Sequence, residues 1–287
     1  MKSTLICLHT LPKEIEMLER FTTQLRRAFQ YLDPSDKVTI KASLNLNPLV
    51  TDWTNSELKP QYFIDKFNNA FEGLPNINEI ITDTSLMGTT QQKRESIDLP
   101  YDQFIFVDTD IAFPETLLKY QLEASYSLEG MFVLIPQLVK LWDYTWDVLV
   151  HNNYQDKPYG YYNTHDPNIT YEQEPGEVYI EACPVMKFGC GMHTLYSKSF
   201  WQFVGIPESF GGYGSEDTFA MFASTYAKER GYDIQQYILK GLYITEDMLN
   251  RVPSFEGKIR TVFSKDESRE ASWKVMQQEL NNFASKI

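Results

Sequence analysis

The sequence is poor in cysteine and histidine, short of basic charge and without a long unbroken apolar run, and each shortage argues against a class of protein. Cys7, Cys183 and Cys190 form no CxxC pair and no even set, so neither a disulfide framework nor a zinc knuckle is indicated, and reduced thiols in a cytoplasm fit best. With 26 Lys and Arg against 39 Asp and Glu the formal charge is −13, a field that repels polyanions and disfavours nucleic acid or an anionic membrane as partner. A diphosphate remains admissible, because a bound divalent cation reverses the field where it sits. The opening MKSTLICLHTLPKEIE has too short an apolar run for a secretory signal, and the most apolar later stretch, MFVLIPQLVKLWDYTWDVLV, is broken by Lys140, Asp143 and Asp147. The expectation is a cytoplasmic protein of bacterial or viral type with no transmembrane segment.

What the chain does have is an ordinary globular composition, 43% hydrophobic and 14% aromatic, enough for one α/β domain with an appended tail. Ser3 to Leu8 reads as a short buried strand, and after Pro12 the residues Ile15, Leu18, Phe21, Leu25, Ala28 and Leu32 recur at helical spacing. A strand over Val38 to Leu44, a helix over Tyr62 to Phe71 and a strand over Glu79 to Thr82 continue the alternation. That order predicts a mainly parallel sheet flanked by helices, in which ligands bind beyond the carboxyl ends of the strands. A further strand is expected over Met131 to Ile135. In the tail, Trp273, Met276, Leu280 and Phe283 share one helical face, which predicts a helix packed on the domain.

The clearest strand is Phe104, Ile105, Phe106 and Val107, a continuous apolar run that stops at Asp108-Thr109-Asp110 before Pro114 opens a helix, PETLLKYQLEASYS. Two carboxylates therefore sit where a buried strand leaves the core, and ionised carboxylates there need compensation. A divalent cation supplies it. Hard carboxylate oxygens suit Mg²⁺ or Mn²⁺, which complete their shells with water and phosphate oxygens and act as Lewis acids on a departing diphosphate. The same tripeptide also fits two solvated carboxylates at a surface strand end.

The surroundings carry more. The run GTTQQKRESIDLPYDQFIFVDTDIAFPETLL resembles the centre of GT-A glycosyltransferases, where a basic residue on a helix precedes a hydrophobic strand ending in the acidic motif. FGCGMHTLYSKSFW resembles the glycine-bearing donor-sugar and acceptor segment of the same enzymes, and GGYGSEDTFAMF the ED-bearing motif of inverting members. The three stand in the family's order over roughly residues 1 to 247. The resemblance implies an α/β GT-A domain over residues 1–250, a mixed and mainly parallel Rossmann-like sheet flanked by helices, with residues 251–287 as a C-terminal helical tail. It also implies a metal-dependent hexosyl- or related transferase that moves a sugar from a nucleotide-diphosphate sugar to an acceptor hydroxyl.

Residue by residue, the resemblance puts Mn²⁺ or Mg²⁺ at Asp108 and Asp110, with Asp108 also beside the nucleotide sugar. Asp217 becomes the general base and Glu216 its neighbour in acceptor binding. Arg94, with Lys93 as second choice, faces the diphosphate, and Gly189 and Gly191 let backbone amides approach the sugar. Base and ribose contacts fall on His9 and Thr10 after the first strand and on Asn45 and Asn47 near the end of the second. A UDP-sugar is the first choice of donor, and a glycan or other hydroxyl-bearing molecule the acceptor. Many relatives complete the metal site with a histidine downstream of the ED motif, but His9, His151, His165 and His193 all lie upstream. Asp247, after the strand IQQYILKGLYIT, stands where that late ligand would fall. Ser215 is expected to cap the helix that carries Glu216 and Asp217, whose apolar side holds Phe219, Phe222 and Tyr226. Trp142, Trp146, Tyr159, Tyr161 and Tyr162 suit either stacking on acceptor sugars or packing in a core.

Three other readings are open at this level. FIFVDTDIAFPETLL also resembles the first motif of haloacid dehalogenase-like phosphatases, although Ile111 and Ala112 stand where that family has other residues. A non-catalytic nucleotide- or carbohydrate-binding module would keep the fold without turnover. A transferase acting on bases of viral DNA is opposed by the acidic charge.

Overall fold

In the computed structural model the described residues are 1–48, 50–75, 77–83, 88–138, 177–183, 193–210, 215–246, 258 and 265–287. The chain opens with β1 (Ser3–Thr10), buried from Thr4 onward, and α1 (Leu18–Phe29), whose Leu18, Phe21, Leu25 and Ala28 face the core. Next come β2 (Lys37–Asn45), α2 (Pro60–Phe71) and β3 (Ile77–Asp83). Pro60 begins α2 because its fixed φ suits a first helical turn that needs no N–H bond. Then follow α3 (Thr89–Ile97), β4 (Gln103–Asp108), the two-residue β5 (Ile111–Ala112), α4 (Leu117–Tyr126) and β6 (Met131–Leu138). The remainder comprises β7 (Tyr179–Ala182), β8 (His193–Ser197), α5 (Lys198–Val204), α6 (Glu216–Glu229), β9 (Ile234–Glu246) and α7 (Lys265–Ala284).

The strands join in the order β3-β2-β1-β4-β8-β6-β9-β5, with β7 added on β9. β1, β2, β3, β4, β6 and β9 run one way, while β8, β5 and β7 are antiparallel to their neighbours. This is the expected mixed, mainly parallel sheet with helices about it. Side chains alternate across it: Ile6, Leu8, Ile105 and Val107 join α1, α2 and α4 in one core. Leu5, Cys7, Phe104 and Phe106 join α5, α6 and α7 in the other.

α7 rests on the second core. Met276 and Phe283 are buried, with the Phe283 ring edge-on to Phe203 at 5.7 Å and to Phe219 at 6.3 Å. Two expectations about helix faces need correction. Trp273 does not join Met276 and Phe283 in the core but is exposed, and on α6 Phe219 is buried while Phe222 is exposed. The buried face of α6 is completed instead by Ala220, Ala223 and Ala227, whose small side chains let the helix lie close to the sheet. Among the described residues no helix is long and apolar enough to cross a membrane.

Candidate active site

The carboxyl ends of β1, β2 and β4 lie side by side, with His9 in register between Ser43 and Asp108. Asp108 is half-buried and Asp110 buried, and between them the Thr109 hydroxyl donates to the His9 carbonyl at 3.5 Å. Burial pushes the Asp108 carboxyl up to about 7; Lys93 opposes the rise, and Asp110, Asp217 and Glu216 add to it. The same carboxyl thus feels acids from two distant parts of the chain, the end of β4 and the start of α6.

Lys93 of α3 connects them. Its ammonium lies 2.6 Å from Glu216 Oε1, across 123 residues of sequence, and the Thr90 hydroxyl donates to Glu216 Oε2 at 3.1 Å. Burial favours the neutral amine, but Glu216, Asp108 and Asp217 outweigh it and hold Lys93 above its ordinary range. The aromatic face of Phe106 lies 5.5 Å from the ammonium. Asp217 is half-buried and accepts from the Thr218 N–H at 2.6 Å. Its carboxyl is pushed up to about 6, first by burial and then by Glu216, against the pull of Lys93.

Ser215 does not cap α6 with its side chain as the sequence suggests. Its hydroxyl instead meets that of Ser272 on α7 at 3.0 Å. Arg94 also departs from expectation: its guanidinium donates to the carbonyls of Ile206 at 2.9 Å and Pro207 at 2.7 Å. Adjacent helix positions point in different directions, so of the two basic residues it is Lys93 that reaches the acids.

The expected nucleotide contacts gather at the strand ends. His9 is buried, and burial followed by Lys93 pulls its pKa down to about 3, leaving a neutral ring at ordinary pH. Its Nδ1 lies 3.0 Å from Ser43 Oγ and 3.1 Å from Gln92 Oε1, and Ser43 donates to Gln92 at 2.6 Å. Asn45 Oδ1 accepts the Asn47 N–H at 3.0 Å, an Asx turn that carries the chain off β2. His9 Nε2, Thr10 Oγ1 and Asn45 Nδ2 are buried with no hydrogen-bond partner among the described residues. Such groups at one edge of a sheet suit a polar ligand.

Glu14 was not foreseen. It ends a single 3-10 turn, Pro12–Glu14, and its Oε2 accepts the Leu11 N–H at 3.0 Å. Burial and then the charge of Asp110 push its carboxyl up to about 8. An acid two residues after a proline, just beyond the first strand, is the sequence signal, which needs the fold to bring it beside Asp110.

Gly189, Gly191, Asp247, Trp142, Trp146, Tyr159, Tyr161 and Tyr162 lie outside the described residues. The chain leading to Asp247 is described, however: β9 pairs with β5 so that Glu246 opposes Ile111, one residue past Asp110. Among the described residues no group of three or more His, Cys, Asp or Glu is arranged to hold a metal ion. Asp108 and Asp110 offer hard carboxylate oxygens of the kind a divalent cation takes, with its remaining ligands from water and phosphate.

No family model matches the sequence, and no curated protein matches it. Solved structures do. The chain is similar to GalNAc-T7, in a structure with UDP, GalNAc and Mn²⁺, with TM-score 0.50 and 9% identity over 86% of this chain and 44% of that one. S. aureus TarS (1–349) aligns with TM-score 0.47 and 11% identity over 84% of this chain and 60% of that one. The chain therefore spans less than two thirds of either neighbour. The fold is that of the GT-A glycosyltransferases.

Proposed function

We propose that the chain is a metal-dependent, inverting glycosyltransferase that moves a sugar from a nucleotide-diphosphate sugar, a UDP-sugar by first choice, to an acceptor hydroxyl. The observation that carries this reading is the convergence on Lys93 of Asp108 from β4 with Glu216 and Asp217 from α6, at the carboxyl edge of the parallel strands. A fold shared with a protein whose structure holds UDP and Mn²⁺ is consistent with it. The haloacid dehalogenase-like alternative gives no role to the acids at the start of α6.

In this reading Asp108 and Asp110 hold Mn²⁺ or Mg²⁺, which supplies Lewis-acid stabilisation of the departing diphosphate when bound. His9, Thr10, Asn45 and Asn47 bind base and ribose at the ends of β1 and β2, where they bring buried hydrogen-bonding groups together. Lys93 and Thr90 hold the Glu216 carboxyl group in place, and the Lys93 charge lowers the cost of placing further acids close by. Asp217, half-buried at the amino end of α6, accepts the proton of the acceptor hydroxyl as that oxygen attacks the anomeric carbon opposite the leaving group. Gly189, Gly191 and Asp247 are proposed to line the sugar and to supply the late metal ligand.

The test is a thermal-shift screen of nucleotide sugars with and without Mn²⁺, since a ligand that binds only the folded state raises the melting point. A rise that needs both a sugar nucleotide and Mn²⁺, and disappears in Asp108→Asn, is the expected result. If no sugar nucleotide raises the melting point with either Mn²⁺ or Mg²⁺, the reading fails.

A further inference from the structure

The chain on either side of Asp110 is tied to other parts of the fold. One residue before it, the Thr109 hydroxyl donates to the His9 carbonyl of β1; one residue after it, the Arg20 guanidinium of α1 donates to the Ile111 carbonyl at 2.8 Å. Two residues further on, the Gln24 amide donates to the Phe113 carbonyl. Arg20 and Gln24 are four apart on one face of α1, about 6 Å along its axis, and carbonyls two apart in an extended segment are spaced about 6.6 Å along one edge, so helix and segment match.

These bonds do more than dock the helix. The Phe21 and Phe113 rings already meet edge to face at 5.9 Å between the same two stretches of chain. β5 is only two residues long and pairs with β9 at Ile111 and Ala112 alone. So short a ladder fixes the orientation of its peptides weakly, and donors from α1 on the carbonyls supply what it lacks. The turn ahead of α1 also brings Glu14 within electrostatic reach of Asp110. The next pair in the row, Arg27 with Glu115 at 3.3 Å, lies in solvent, where an ion pair contributes little.

We propose that Arg20 and Gln24 are positioning residues for Asp110: they hold the backbone that follows it and so set where its carboxylate stands relative to that of Asp108. The inference rests on the metal assignment in the glycosyltransferase reading. A small divalent cation demands its oxygens at fixed separations, and removing groups that orient metal ligands typically weakens the metal by roughly 10–100-fold. The sign separates this role from an electrostatic one. Arg20 holds a positive charge near the cation's seat, so its removal tightens the ion if charge is what matters and loosens it if orientation is.

Mn²⁺ titration by electron paramagnetic resonance in the presence of UDP tests the clamp, with melting points measured on the same samples. Arg20→Met keeps an apolar stem without the donors and is expected to bind Mn²⁺ about tenfold more weakly. Arg20→Lys, which can still donate to the Ile111 carbonyl, is expected to keep most of the affinity. Arg26→Met is the comparison: from the same helix Arg26 donates to the Ala70 and Glu72 carbonyls at 2.9 and 2.8 Å, so its loss lowers the melting point and leaves Mn²⁺ binding at the wild-type level. Wild-type or tighter affinity in Arg20→Met overturns the proposal, and so does an Arg20→Lys protein as weak as Arg20→Met. Equal weakening in Arg26→Met also overturns it, by marking a general loosening of α1. Should Arg20→Met fail to fold, Gln24→Met decides: a severalfold loss of Mn²⁺ affinity supports the clamp and an unchanged affinity overturns it. A wild-type protein that binds no Mn²⁺ with UDP is a failure of the metal assignment itself, and the clamp falls with it.

Discussion

Lys93 Nζ and Glu216 Oε1 are 2.6 Å apart, with side chains only 7% and 8% exposed, so each charge depends on the other for compensation. Replacing one leaves the other buried and unpaired, which typically costs about 3–5 kcal/mol. Lys93→Met is expected to lower the urea midpoint accordingly with an unchanged denaturant slope. The double variant Lys93→Met with Glu216→Gln is expected to recover a large part of the loss, because it removes both charges. A Lys93→Met protein as stable as wild type would show that the pair is not the link between α3 and α6.

In the proposed mechanism Asp217 sets the pH dependence. Its carboxyl sits at about 6 through burial and the neighbouring Glu216, against Lys93, with Asp108 also close enough to interact with Lys93. A raised acid is protonated below its pKa and cannot then accept a proton, so transfer is expected to be half-maximal near pH 6, to level off one to two units higher and to fall as pH drops below that value. Asp217→Asn is expected to lower kcat by about 10²–10⁴ while preserving the nucleotide-sugar thermal shift. Initial rates from pH 5 to 8 check both, and substantial activity in the variant would remove Asp217 from the role of base.

Asp110 and Glu14 interact electrostatically at the other side of the same edge. Asp110→Ala is expected to abolish the Mn²⁺-dependent part of nucleotide-sugar binding. Glu14→Gln is expected to weaken Mn²⁺ severalfold while sparing stability, since the amide oxygen can still accept the Leu11 N–H. Mn²⁺ titration by electron paramagnetic resonance measures both without reference to turnover.

How far the sequence revealed this arrangement depends on the range of the contacts. Local pattern located β1, β2, β4 and α2 to within a few residues, because continuous apolar runs and helical spacing are fixed by neighbours in the chain. It also brought out Asp108 and Asp110, since an apolar run that stops at an acid is visible without a fold. The antiparallel insertion of β8 between β4 and β6 was not legible, nor the approach of Glu14 to Asp110, because both come from long-range pairing. Choosing Lys93 over Arg94 required knowing which face of α3 meets α6 and which meets the Ile206 and Pro207 carbonyls. Trp273 and Phe222 depart from the amphipathic pattern because they pack on each other at the edge of the α6–α7 contact rather than on the core.

Gly241 ties the far edge of the sheet to the acids. Its φ is +85°, and β9 shifts register there: Leu239 pairs with Pro136 but Tyr243 with Gln137. The bulge redirects β9 so that Glu246 comes to lie opposite Ile111, beside Asp110. A Cβ at position 241 would meet the Glu177 carbonyl oxygen at 2.6 Å, just before β7 joins this strand. Gly241→Ala therefore combines left-handed strain of about 1–2 kcal/mol with a backbone clash, and relief requires β7 or the bulge to move. Gly231, at φ +87° with nothing within 4 Å of a Cβ, serves as the comparison, since alanine there introduces the strain without the clash. The expected outcome is a larger fall in melting point for Gly241→Ala than for Gly231→Ala, with weakened Mn²⁺ binding in the former only. If both variants lose equal stability and bind Mn²⁺ like wild type, the bulge is not what aims the end of β9 at Asp110.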